Sequence, residues 1–373
     1  MAVDWQAVRR EFPALERCTY LNTATFGQLP RRAVDAAARH FAHRDETACA
    51  DFLDWFDDIQ ALRASLAQLI NAEAADIAFV PNVGSALALL MTGLDWRAGD
   101  RILTLQDEFP NNIYAPALAA RNGVEFVEAP WERFFEELTP RTRLVLLSEV
   151  SYMNGRRPPL AEISRRAHAA GALLYVDGTQ SLGALRFDAA AIQPDMLAAH
   201  GYKWLLAPNG AAFMYVRPGL RERLEPLAVG WRSHRGWREV DNLHQGAPVF
   251  ADSAEKYEGG MLPFALLYAM QASVDMMLEI GPAGIERRVM ELADYTRSAL
   301  RRLGARLIYD EESYFESPIV AARIEAADAS ALARELHRRG IHISARHGQL
   351  RISTHFYNNE EDVDRLCAEL KSL

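Results

Sequence analysis

A series of short, unbroken apolar runs, each followed by a stretch of helical length, constrains this chain more than any other feature. The runs lie at 77–80 (IAFV), 101–105 (RILTL), 125–129 (EFVEA), 143–150 (RLVLLSEV), 172–176 (ALLYV), 196–200 (MLAAH) and 211–216 (AAFMYV). They lack the polar alternation of a half-exposed strand and fit strands buried on both faces. Helical patterns at 111–121 and 160–170 lie between them, the second ended by Gly171. This repetition predicts an α/β fold with a mostly parallel, seven-stranded sheet covered by helices on both sides. After about residue 260 the pattern changes. Two helical stretches, 264–280 and 283–303, are broken by Gly281–Pro282; strand-like segments, a helix at 329–339 and a last helix from about 360 follow. We expect a large domain over 16–260 and a smaller α+β domain built from both chain ends, 1–15 and 261–373.

With 373 residues, half of them hydrophobic, the chain can bury a core large enough for this plan. The formal charge of −9 lacks the basic excess of a nucleic-acid-binding surface. Basic pairs at Arg301–Arg302 and Arg338–Arg339 fall near predicted helix ends, where the dipole favours cations on a solvated face. The longest apolar stretch, 77–94, is interrupted by Pro81, Asn82, Gly84 and Ser85, so no membrane span is expected. Cys18, Cys49 and Cys367 have neither CxxC nor metal-ligand spacing, which suggests a reducing compartment and no metal. The first twelve residues carry Asp4 and Glu11 and no apolar leader core, so a cytoplasmic protein is expected.

Ligands of parallel sheets bind beyond the carboxyl ends of the strands. Several candidate residues stand at such ends: Asn82–Ser85, Glu108–Phe109, Asn154, Asp177 and His200. Asp177 closes an apolar run, with Gln180 one turn on and Lys203 after a second run. A strand-end carboxylate needs a partner, and a protonated pyridine nitrogen is one. Burial of Lys203 between Tyr202 and Trp204 would favour the free, nucleophilic amine that forms an imine with an aldehyde. Together these are what pyridoxal phosphate requires of a protein. Taken singly, each has a plainer reading. Asp177 fits a turn or helix cap, Lys203 a snorkelling surface lysine, Gln180 a first-turn helix residue and His200 a satisfied core histidine. The VPNVGS turn offers Gly84 and Ser85 to an anion at a helix start, as many turns do. Phe109 fits ring stacking or the core. Arg351 fits a carboxylate clamp or a surface strand.

These motifs resemble the class V aminotransferases, the fold-type I pyridoxal-phosphate group that includes cysteine desulfurases, isopenicillin N epimerase and kynureninase. The likeness runs through YLNTATFGQLP (20–30), DEFPNN (107–112), the stretch from VDGTQ (176–180) through HGYKW (200–204), and RISTHFYNNEEDVDRL (351–366). It implies Lys203 as the imine-forming and proton-moving residue, Asp177 on the pyridine nitrogen and Gln180 on the ring oxygen. It also implies Phe109 on the ring face, His200, Gly84 and Ser85 on phosphate, Arg351 on the substrate α-carboxylate, and Asn22 near the substrate. Where the family often has VSN, this chain has VSYMNG, so either Tyr152 or Asn154 takes that contact. EGGM replaces EAGT at 258–261, leaving the Gly260 backbone or the 230–237 segment to serve the partner's phosphate. Desulfurases carry a nucleophilic cysteine on a loop shortly before the carboxylate-binding arginine; SARHGQLR has none.

The resemblance therefore implies a homodimeric pyridoxal-phosphate enzyme acting on an amino acid through an imine with the cofactor. Transaminase or β-/C–S lyase chemistry leads, and amino-acid epimerisation or desulfuration is the alternative. A degenerate, non-catalytic scaffold is the non-enzyme alternative, and a nicotinamide-binding fold lacks its GxGxxG signature. Arg346, with Arg232, His234 and Arg235, is a candidate reader of the substrate side chain.

Overall fold

The structure, a computed structural model, describes residues 3–226, 228–243, 246–308, 316–325 and 327–373. The strands, in chain order, start with β1 (Thr19–Tyr20), β2 (Ile77–Val80), β3 (Arg101–Leu105), β4 (Glu125–Ala129) and β5 (Thr142–Ser148). They continue with β6 (Leu173–Asp177), β7 (Met196–His200), β8 (Ala212–Val216), β9 (Arg306–Leu307) and β10 (Ile319–Arg323). The last three are β11 (Ile341–His342), β12 (Ser344–Arg346) and β13 (Gln349–Ser353). Every one of the seven apolar runs is a strand of one sheet, in the order β2-β8-β7-β6-β5-β3-β4. All its neighbour pairs are parallel except those of β8, which is antiparallel to both β2 and β7.

That single reversal has a consequence for the site. Because β2 opposes β8 and β8 opposes β7, β2 runs with the parallel strands. The carboxyl ends of β2, β3, β5, β6 and β7 therefore open on one edge of the sheet. Asn82, Phe109, Asn154, Asp177 and His200 all follow or close these strands.

Side chains on the two sheet faces feed separate cores. Leu103, Val145, Leu147, Val176, Leu197 and Phe213 meet the core containing Leu267, Met270 and Val274 of the Phe264–Ile280 helix. Ile102, Leu144, Leu146 and Met214 face Val83, Leu87 and Leu90 of the Val83–Gly93 helix. The predicted 111–121 helix divides into an α-helix, Pro110–Ala117, and a 3-10 turn, Leu118–Asn122. Pro116 offers no N–H, which explains why regular bonding fails there. Gly281, at φ +91°, separates the two long helices Phe264–Ile280 and Pro282–Arg302.

A third core gathers Leu300, Val320, Ala322, Leu336, Leu350, Ile352 and Leu366 beneath an antiparallel sheet of order β12-β13-β10-β9. Of the strand-like segment at 306–310, Arg306–Leu307 is strand, and residues 309 and 310 lie outside the described residues. The N-terminal segment joins this end of the molecule, since β1 pairs in parallel with β11. Arg9 also donates to the Tyr357 carbonyl and to Asp362. Among the described residues no helix is long and apolar enough to cross a membrane.

Candidate active site

Lys203 follows β7 and is 7% exposed. Its Nζ lies 5.5 Å from the Phe109 ring centre and 5.7 Å from that of Tyr202, and makes no hydrogen bond among the described residues. Burial lowers its pKa to about 8, against the opposing pull of Asp177 and with help from Arg351 and Arg346. Asp177 is buried at the end of β6, where its Oδ1 accepts from the Thr179 N–H at 2.9 Å. No cationic side chain of the chain forms a salt bridge with it among the described residues. A buried carboxylate and a buried amine, neither fully partnered, converge on one space.

Backbone packing holds that space rigid. Gln180 donates to the Ala24 carbonyl at 3.1 Å and accepts from Trp204 Nε1 at 2.8 Å. These bonds fix which end of the amide is NH2 and leave one Nε2 hydrogen free. Gly27 donates to the Tyr202 carbonyl, and a Cβ on Gly27 would stand 1.9 Å from the Lys203 carbonyl oxygen. A Cβ on Gly183 would stand 2.1 Å from the Trp204 carbonyl oxygen. His355 Nδ1 accepts from the Phe356 N–H, so its Nε2 carries the proton and donates to the Trp204 carbonyl at 2.9 Å. Burial drives the His355 pKa down to about 3, keeping it in that neutral form.

Opposite stands the polar face of the small sheet. Strand alternation sends Leu350 and Ile352 to the third core and Gln349, Arg351 and Ser353 to the other side. Arg351 is 1% exposed and has no acidic partner among the described residues. It donates to Ser344 Oγ (3.0 Å), the Tyr152 carbonyl (2.6 Å) and Thr25 Oγ1 (2.7 Å), and Thr25 in turn donates to Asn22 Oδ1 (2.8 Å). One N–H remains on each terminal nitrogen, the pair that a carboxylate grips. Burial lowers the Arg351 pKa to about 9, and Arg346 adds to the effect. A buried guanidinium without a counter-charge marks a place for an anion.

Other candidates are placed less directly. Phe109 packs edge-on to Tyr152 at 5.2 Å, and Tyr152 shares a 3.2 Å hydrogen bond with His347. Asn154 is buried, and its Oδ1 accepts from the Arg156 N–H. His200 has a pKa lowered to about 4 by burial, with Lys203 adding to it and Asp177 opposing. At the Val83–Gly93 helix, Asn82 Oδ1 accepts from both the amide and hydroxyl of Ser85, at 2.8 and 3.2 Å. Ser85 must leave that cap to bind an anion, whereas the Gly84 amide has no such partner among the described residues. Gly260 donates to the Glu258 carbonyl and accepts from Arg232; no described contact joins it to Lys203. Arg232 is not a substrate reader: it is buried, paired with Glu255 and Glu258, and stacked 4.4 Å from the Phe56 ring. His234 accepts from the Val249 N–H.

Glu108 is a site residue whose role sequence reasoning missed. It accepts from the Ser148 amide (2.7 Å) and hydroxyl (2.6 Å) and from Asn112 (3.0 Å). It thereby ties the Phe109 turn to the end of β5. Burial pushes its carboxyl up, while Ser148 and Asn112 pull it down.

The donor set fits pyridoxal phosphate: an unpartnered buried amine, an acid at a strand end, a fixed amide donor and an aromatic face. Comparison with known proteins agrees. Residues 19–366 match the family model of class V aminotransferases. Isopenicillin N epimerase of Streptomyces clavuligerus is 32% identical, over 100% of this chain and 99% of its own. A probable cysteine desulfurase of Methanothermobacter thermautotrophicus is 28% identical, over 98% of this chain and 97% of its own. The cystine C–S lyase C-DES, solved with its product cysteine persulfide, superposes with a TM-score of 0.89 at 25% identity, covering 96% of this chain and 98% of that one. The chain belongs to the class V aminotransferase family and is a fold-type I, pyridoxal-phosphate-dependent enzyme.

Proposed function

We propose that this enzyme acts at the α-carbon of an amino acid, with Lys203 carrying the cofactor and moving the α-proton. The observation behind this reading is the buried Lys203 amine, held near pKa 8 with no hydrogen bond among the described residues to occupy it. Such an amine is available near neutral pH as nucleophile and as base.

Asp177 would hold the protonated pyridine nitrogen, its Oδ1 already oriented by Thr179. Gln180 would offer its free hydrogen to the ring oxygen, Phe109 would cover the ring face, and Asn154 would line its edge. His200 and the Gly84–Ser85 turn would receive the phosphate, with Gly260 serving the phosphate of a second subunit in a homodimer. Exposed Phe41, Tyr114 and Met261 suit subunit contacts. Residues 16–260 form the cofactor-holding domain in this scheme, and 1–15 with 261–373 the substrate-closing one. Three unpaired cysteines are in keeping with a cytoplasmic enzyme.

Pyridoxal phosphate, when bound, supplies the electron sink that makes an α-proton acidic. The chain's residues do the rest. Arg351 grips the α-carboxylate, and Thr25 and Asn22 brace that grip from the N-terminal segment. Phe109 and Tyr202 keep water away from Nζ. Lys203 takes the proton and returns it.

For the step after proton removal, we favour transaminase or β-/C–S lyase chemistry. Transfer of sulfur to a protein cysteine is disfavoured by the turn before Arg351, which is His347–Gly348 between β12 and β13 and holds no thiol. Epimerisation is a second reading, favoured by the full-length likeness to isopenicillin N epimerase. The Tyr152–His347 pair beside Phe109 would then serve as a second proton carrier. Incubating holoenzyme with amino acids in deuterated water separates these reactions. Acceptor-dependent keto acid marks transamination, stoichiometric ammonia marks elimination, and deuterated, inverted amino acid marks epimerisation. None of these with any amino acid would overturn the proposal.

A further inference from the structure

Beside the site lies an open cleft of about 600 Å³ whose lining is cationic. Asn22, Thr25 and Ser344 form its inner wall, and Arg346, Arg334 and Arg338 its outer part; no aspartate or glutamate is among its lining residues. The inner wall is shared with the Arg351 grip, since Thr25 and Ser344 are two of its hydrogen-bond partners. A ligand whose carboxylate lay on Arg351 would have this cleft directly next to it.

Strand geometry fixes what the cleft presents. Ser344 pairs directly with Arg351, so the two side chains leave the same face of the sheet. Arg346, two residues on, leaves that face as well, while Ala345 packs on the third core. Two arginines therefore stand side by side, both bearing on Lys203. Among the described residues, Arg346 donates only to its neighbour's carbonyl, Ala345 O, at 2.7 Å. It has no acidic partner among the described residues, and neither has Arg334. Arg338, by contrast, is paired with Glu335. Other arginines of this chain's surface are paired in this way, among them Arg166, Arg186, Arg288 and Arg339. One carboxylate on Arg351 leaves Arg346 uncompensated.

We infer that the substrate is an amino acid whose side chain carries a second anionic group, with Arg346 as its reader and Arg334 in support. The inference rests on the proposed function, in which Arg351 takes the α-carboxylate. A neutral side chain would leave an unneutralised guanidinium facing the ligand, whereas an acidic one completes a charge-assisted pair. Specificity of this kind is a difference between affinities, and a matched charge pair enlarges it.

The test uses holoenzyme titrated with isosteric pairs, glutamate against glutamine and aspartate against asparagine, followed by the cofactor's visible absorption. The acidic member should bind and turn over at least about 10-fold better in kcat/KM, the range of a hydrogen bond to a charged group. Arg346→Gln should cut the acidic-over-neutral ratio by about 10- to 100-fold, mostly through KM. Arg346→Glu should turn the preference toward ornithine or lysine. Equal response to the acidic and neutral members, with a ratio unmoved by Arg346→Gln, would overturn the inference while leaving the proposed function intact. A holoenzyme whose absorption responds to no amino acid of any class would instead overturn the proposed function, and this inference with it.

Discussion

On the large-sheet side of the site, Lys203, Asp177 and Gln180 are buried, and the backbone of residues 202–204 is held by Gly27, Gly183 and His355. On the small-sheet side, outside the buried Arg351, Tyr152 and Arg346 are half-buried, His347 is exposed, and their contacts are few. The floor is built so that one amine and one carboxylate cannot drift. The rim is a hairpin and a loop whose side chains can change without disturbing the sheet. In a family whose members run different reactions, this contrast places the shared chemistry in the floor and the choice of substrate and outcome at the rim.

The contrast breaks if floor and rim substitutions cost the same. Lys203→Ala should lower turnover by about 10³-fold or more, measured on protein whose circular dichroism is unchanged, while Tyr152→Phe should cost about 10-fold or less. An epimerase would reverse the second expectation, because Tyr152 would then carry a proton.

Glycines offer a structural version of the same comparison. Gly183 has φ +101° and no room for a Cβ beside the Trp204 carbonyl, whereas Gly348, at φ +73° on the hairpin tip, has nothing within 4 Å. Gly183→Ala should destabilise by roughly 4 kcal/mol, overpacking added to a left-handed backbone, and Gly348→Ala by roughly 1 kcal/mol. Thermal melts of the two variants decide it.

The pH dependence of the apoprotein follows from Lys203. Its folded pKa, about 8, lies below the 10.5 of an ordinary lysine. Between those values the unfolded chain binds more protons than the folded one, so stability rises with pH across that window. The gain attributable to Lys203 is at most on the order of 3 kcal/mol and should vanish in Lys203→Met. Chemical denaturation of both proteins from pH 8 to 10 measures the difference. A smaller effect is expected for His355→Phe, which strips the Trp204 carbonyl of its donor, at about 2 kcal/mol. His355→Gln should recover part of it.

Much of this was legible in the residues. Buried strands advertise themselves as unbroken apolar runs, and the two long helices by the Gly281–Pro282 break between them. The reversal of β8 was not legible, because AAFMYV is buried on both faces and carries no alternation to betray direction. Asp177 and Lys203 stood out because each closes or follows a strand. Thr25 did not, and Glu108 stood out by its place but not by its role, since their partners Arg351 and Ser148 lie 326 and 40 residues away. The Asn82 cap on Ser85 follows from spacing alone, an asparagine three residues before a serine at a helix start. It qualifies the phosphate role expected of Ser85.

The central claim, that Lys203 is the residue to which the cofactor attaches, is tested most directly by borohydride reduction of the holoenzyme followed by peptide mass mapping. The account predicts one reduced pyridoxyl adduct, on Lys203, and loss of the visible imine band. An adduct on another lysine, or a reduced protein without any, would contradict it.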